Sequence, residues 1–208
     1  MIQQLIIFIT YFTQLLAIMN PFSVVPTFLS LTEGLSKNEV EAILRKATLA
    51  GLTIVIVFAV AGKYILEAFN VSVAGLRVAG GIVLMTIALD MLGEEPRTKR
   101  MDPRDIAVVP IATPLIIGPG TITTILLLVS SKPGDLVNQM LVLTAGIIAC
   151  LVSFGVLRSS EILVKALRAS TIRAIGRFMA LIIAGVAVEM IVHGVQMYYA
   201  TLFMNNSR

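Results

Sequence analysis

The sequence predicts an all-α membrane protein: six transmembrane helices in two inverted-topology three-helix repeats, with helices 1 and 4 broken near the bilayer midplane. Three observations carry this prediction. Hydrophobic residues make up 57% of the 208 positions and charged ones 13%, well under the roughly 25% charged of a soluble domain. Apolar runs recur along the whole chain, most of them near the length of about 20 residues that crosses a bilayer. Two of those runs carry paired prolines, NPFSVVP at 20–26 and TPLIIGPGT at 113–121.

The first span covers 4–31, with the NPFSVVP break inside it. Its opening, MIQQLIIFITYF, lacks a basic leader and a small-residue cleavage site, so it reads as a retained span and not a secretory signal. The second span covers 40–66 and the third 71–92. The charged stretch GEEPRTKRMDPRD follows, then a fourth span at 106–129 and a fifth at 136–157. An amphipathic stretch, SSEILVKALRAS, precedes the sixth at 172–199. As domains, 1–95 forms the first repeat, 96–105 a charged cytoplasmic linker, and 106–208 the second repeat.

Lys and Arg set the expected orientation. The loops after spans one, three and five, with adjoining helix ends, hold eleven of them, and the opposite side only Lys63, Lys132 and Arg208. The odd-numbered loops are therefore expected in the cytoplasm and both termini outside, in a multi-pass protein of the cell membrane. The net charge of +4 sits in these loops and gives no reason to expect a nucleic-acid partner. Cys150, the single cysteine, lies inside a span and excludes a disulfide framework.

The repeat rests on five weak matches in the same order. Asn20-Pro21-x4-Pro26 pairs with Thr113-Pro114-x4-Pro119, TLAGL with LTAGI, and ILEAF with ILVKAL. Arg77 then pairs with Arg177, and Asp90-Met91 with Glu189-Met190. Three spans per repeat force the second copy to enter from the opposite side, an arrangement common in secondary transporters. A merely symmetric bundle is the plainer alternative.

Broken helices in hydrocarbon survive only where the backbone is buried in protein or lines a cavity. Each break exposes a half-helix C-terminus with bare carbonyls and an N-terminus with bare amides, carrying partial charges of about −0.5 and +0.5. Pro26 and Pro119 are expected to start the second half-helices. The candidate substrate-binding residues are Asn20, Pro21, Ser23 and Pro26 with Thr113, Pro114, Gly118, Pro119, Gly120 and Thr121. Neither broken segment has a charged side chain, so a small zwitterion fits better than a cation or a dicarboxylate. A valine at Gly120 is expected to fill the space beside the amides while sparing the fold. Plain proline kinks are the structural alternative.

Five further residues are candidates for coupling or gating. Arg77 and Arg177 lie one to two turns inside their spans, where an Arg can also simply snorkel to the interface. Asp90 and Glu189 are acids within or at the edge of spans three and six, and Glu189 and His193 share one helix face. They form either a proton relay or an ordinary buried pair. No HExxH, Gly-x-Ser-x-Gly or nucleotide-binding loop occurs, so neither an enzyme nor a metal or other cofactor is expected.

The paired NPFSVVP and TPLIIGPGT motifs, with ALDML closing the third span, resemble the MarC family of bacterial and archaeal membrane proteins along essentially the whole chain. Some members, called SnatA, are described as proton-coupled transporters of small neutral amino acids such as glycine and alanine. The resemblance implies a six-helix transporter in which the two broken helices cradle glycine, L-alanine or a similar substrate, with a proton as coupling ion. An exporter or channel for another small polar metabolite is the alternative; oligomeric state is left open.

Overall fold

The computed structural model describes residues 2–93 and 116–204, which form a bundle of α-helices. Helix α1 is Ile2–Met19 and α2 is Pro21–Leu31. They are followed by α3, Lys37–Ala68, and α4, Val73–Leu92. After the gap come α5, Pro119–Ser130; α6, Leu136–Arg158; the short α7, Ser160–Ala166; and α8, Arg168–Met204. The expected second, third, fifth and sixth spans thus appear within a few residues of their predicted ends.

Local chemistry starts these helices. Ser36 and Glu39 form a reciprocal capping box at α3: the Glu39 carboxylate accepts from the Ser36 amide at 2.8 Å. Ser72 accepts from the Gly75 amide at α4, and Asp135 from the Val137 and Asn138 amides at α6. Each such cap satisfies amides that have no acceptor within their own helix.

Among the described residues, five segments are long and apolar enough to cross a membrane: Ile2–Leu31, Lys37–Ala68, Val73–Leu92, Leu136–Arg158 and Ser170–Ala200. Helix α5 is apolar too, but its 12 residues reach only about 18 Å at about 1.5 Å per residue. The expected start of the fourth span, with Thr113 and Pro114, lies outside the described residues. Large apolar side chains point outward on every long helix, among them Ile9, Val57, Ile82, Leu151 and Leu181. That much apolar surface on a folded chain is what lipid, not water, covers.

Two apolar clusters organise the interior. One joins α1, α2, α3, α5 and α6 through Leu15, Phe28, Val55, Ile125, Val142 and Phe154. The other joins α4, α5 and α8 through Leu84, Leu127, Ile183, Ala187 and Met190, with Ile18 of α1. The closest seam is between α4 and α8. A Cβ at Gly81 would stand 2.7 Å from the Ala187 carbonyl oxygen and 3.1 Å from the Ile191 nitrogen. Backbone cannot yield as a side chain can, so only glycine fits. Ala74, Gly81 and Ala88 are the small buried residues along α4 at this seam.

Gly81→Val should therefore destabilise the bundle by about 1–3 kcal/mol, the usual cost of overpacking. Gly155→Ala, where a Cβ meets nothing within 4 Å, should be neutral or slightly stabilising. Thermal unfolding of the two variants in detergent checks the pair.

Candidate substrate cavity at the helix breaks

The first break is a single residue. Asn20 adopts φ 38° and ψ 61°, a left-handed conformation that asparagine tolerates better than most residues. Its amide still closes the last turn of α1 on the Leu16 carbonyl at 3.0 Å. Pro21 then opens α2 at a position where its missing N–H costs nothing. This corrects the expectation that Pro26 starts the second half-helix: Pro26 lies inside α2, five residues on.

The second half-helix begins as expected, with Gly118 as the cap residue and Pro119 in the first turn. No side chain caps it, so the Gly120 and Thr121 amides of the first turn have no acceptor within the helix. Thr121 is 2% exposed and donates its hydroxyl to the Ile116 carbonyl at 3.2 Å, closing part of the break from inside.

The two half-helices are alike in a register different from the expected one. Helices α2 and α5 hold 11 and 12 residues and each opens on proline. Each runs into a five-residue connection holding a glycine at φ 82°, Gly34 or Gly134, and ending in a side-chain cap, Ser36 or Asp135. In this likeness Pro21 stands where Pro119 does and Ser23 where Thr121 does, while Pro114 lies outside the described residues.

Both breaks face one cavity of about 470 Å³. Its wall includes Asn20, Ser23 and Pro26 from the first break, and Gly118, Pro119, Gly120 and Thr121 from the second. Pro21 is buried beside it, outside the lining. The breaks meet here: Ile18 Cγ2 lies 3.5 Å from where a Gly120 Cβ would stand. Asn20 is 4% exposed and its amide nitrogen reaches the Met91 sulfur at 3.9 Å. Its Oδ1 and the Ser23 Oγ are buried without a hydrogen-bond partner. Polar atoms buried this way are uncommon and call for a ligand or water.

Charged residues also reach the cavity, which the break segments alone did not reveal. Asp90 and Arg177, singled out in the sequence, line it together with Arg173, which was not. Arg173 and Arg177 are one turn apart on α8, and that spacing was the available signal. The wall thus carries both signs of charge, from residues outside the two broken segments. The other candidates lie elsewhere. Arg77, on α4, is half-buried away from the cavity, with its Nε buried and unpartnered. Glu189 and His193 do meet, at 3.4 Å, but neither lines the cavity and both side chains are more than half exposed, so they are not a buried pair.

The cavity wall continues to the exposed Gly93 and Arg173, at the ends of α4 and α8 that adjoin the predicted cytoplasmic loops. In the other direction, Leu84, Leu127, Ile183 and Met190 form a buried apolar cluster. A second cavity of about 500 Å³ lies at the opposite end of the bundle, lined by Lys63, Glu67, Asn70, Lys132 and Asp135. It touches neither break and none of the candidate residues.

Comparison with known proteins places this chain among integral membrane proteins. The model of the MarC family of integral membrane proteins matches residues 5–199. A UPF0056 membrane protein of Methanocaldococcus jannaschii is 34% identical over 91% of this chain and 96% of its own length. The UPF0056 membrane protein YvbG of Bacillus subtilis is 34% identical over 92% and 95% of the two chains. One from Archaeoglobus fulgidus is 35% identical over 90% and 91%. No solved structure matches this chain.

Two stability measurements follow from the break geometry. Asn20→Gly should keep the fold, whereas Asn20→Ala should cost roughly 1–2 kcal/mol, the penalty for an L side chain in the left-handed region. Gly120→Val should lower the melting temperature as well, contrary to the expectation that it spares the fold. A Cβ there meets Leu84 Cδ2 at 2.6 Å and Ile87 Cδ1 at 3.3 Å.

Proposed function

This chain belongs to the MarC family of integral membrane proteins, and we propose that it is a secondary transporter of small neutral amino acids of the glycine and alanine class, working by alternating access and coupled to protons. The observation that carries this reading is the meeting of opposite polarities in one cavity. On one side are the Asn20 Oδ1 and Ser23 Oγ acceptors, buried and unpartnered. On the other are the Gly120 and Thr121 amides at the start of α5.

In this proposal the substrate ammonium donates to Asn20 Oδ1, Ser23 Oγ and the carbonyls ending α1. Pro21 has no N–H to give the Ala17 carbonyl, which is thereby left for the substrate. The carboxylate accepts from the first-turn amides of α5, where the helix dipole favours negative charge. Arg177 and Arg173 at the cavity mouth attract that carboxylate on approach, and Asp90 in the same wall is the residue proposed to carry the coupling proton.

Alternating access needs two states of similar energy. The likeness of α2 and α5, down to glycines of equal φ in the connections, supports two inverted three-helix repeats divided as 1–95 and 106–208 about a linker at 96–105. With the Lys and Arg bias placing the odd loops in the cytoplasm, the cavity opens inward. The packing of Leu84, Leu127 and Met190 is then the outer seal. A continuous apolar seal of this kind argues against a channel. A different small polar metabolite would use the same donors and acceptors.

The test is a thermal-shift screen of the detergent-purified protein against neutral, acidic and basic amino acids, followed by proton-coupled flux in liposomes. Glycine and alanine should raise the melting temperature by mass action, and aspartate and lysine should not. Ser23→Ala should weaken glycine binding about tenfold, as loss of a hydrogen bond to a charged group does. Stabilisation by no amino acid, or equal binding by Ser23→Ala, would overturn the assignment of substrate and site.

A further inference from the structure

Helix α8 has a face that neither the cavity nor the bundle uses. Among the described residues, its main neighbours are α4, α2, α7 and α1. The opposite face shows Phe178, Leu181, Ile182, Val188 and Val192, all exposed and apolar as lipid contact requires. Set among them are Glu189 and His193, with side chains 74% and 55% exposed and 3.4 Å apart. His193 Nδ1 lies 3.2 Å from Gln196 Oε1, which extends the polar row by another turn.

The depth of this row follows from the contacts of α4. The Ser72 hydroxyl, just before α4, meets the Tyr198 hydroxyl at 3.2 Å, and Gly81 packs on Ala187 and Ile191. Glu189 is therefore level with Gly81, eight residues along the 20-residue α4, or about 12 Å from its outer end at about 1.5 Å per residue. That is close to the middle of the bilayer. Ionisable side chains at this depth ordinarily face a bundle interior or a polar partner, because hydrocarbon does not solvate them.

A second observation points to a helix as the partner. Gly185, one turn before Glu189, is exposed, and a Cβ there would meet nothing within 4 Å. Unlike Gly81, it has none of the described residues close to it. Small residues on outward faces of membrane helices are where another helix approaches.

We propose that this face of α8 is the interface of a homodimer, with its two-fold axis along the membrane normal. A second copy is the occupant the chemistry favours. Both copies insert the same way, so the two α8 helices run parallel and Gly185 meets its own counterpart near the axis. An acid and a base one turn apart are then complementary to themselves: Glu189 of one copy reaches His193 of the partner subunit, and the reverse. Where the described chain resumes, Ile117 packs beside Gly51 of α3 with Phe154 and Cys150 of α6.

Disulfide trapping in native membranes tests the interface. In a Cys150→Ala background, Gly185→Cys should give an oxidised dimer. Val57→Cys on α3 and Leu151→Cys on α6, equally outward-facing, should not. Subunit counting in liposomes should find the wild type dimeric and Gly185→Trp monomeric; its open surroundings leave the monomer fold intact. Replacing both Glu189 and His193 by leucine should raise the dimer dissociation constant about tenfold, the scale of an interhelical polar contact in a bilayer. A wild type that stays monomeric at every lipid dilution would overturn the proposal. So would trapping at the control positions as efficiently as at Gly185, or a disulfide-free crosslink from Gly185→Cys to residues 94–115 of its own chain.

Discussion

A backbone carbonyl or amide inside a bilayer has no water to bond, and this one constraint organises the rest of the molecule. The chain interrupts its first span at Asn20, where a left-handed residue and a following proline leave α1 and α2 with ragged ends. Such an interruption is stable only if protein closes around it. Ile18, Val24, Met91 and the second break at Gly118–Thr121 provide that enclosure. The two breaks support each other: the uncapped amides of one sit across a shared cavity from the unpartnered oxygens of the other.

Holding two unwound segments in register requires a rigid wall, and the α4–α8 pair supplies it. Backbone approaches backbone at Gly81 and Ala187, so these helices cannot slide without a clash. Against this wall lie the shorter elements. Helices α2 and α5 are half the length of a span and are joined to their neighbours by five-residue turns. Ser23 approaches Gly176 so closely that a Cβ there would stand 2.6 Å from its hydroxyl oxygen. On the proposed reading, that contact sets the width of the cavity and couples α2 to α8.

The cavity is asymmetric. One end reaches the surface through Gly93 and Arg173, and the other is packed with leucine, isoleucine and methionine. The charged residues follow the same asymmetry, with Arg177 at the open mouth and Arg77 half-buried at the sealed end. If the repeats are inverted as proposed, the two arginines exchange environments when the open end changes.

Sequence alone determined the solvent of this protein and most of its helices. Apolar run length depends on bilayer thickness, and proline removes its own N–H, so spans and breaks are local properties readable residue by residue. Asn20, Ser23, Gly118 and Thr121 were legible for that reason, and they do line one cavity. Register and facing were decided only by tertiary structure. That Pro21 and not Pro26 opens α2 depends on how the first break packs, since either proline suits a first turn. That Arg173 joins the cavity while Glu189 and His193 turn outward depends on the rotation of α8 about its axis. That rotation is set by the glycine seam with α4, a contact between segments about a hundred residues apart. Periodicity along one helix cannot encode which neighbour its faces will meet.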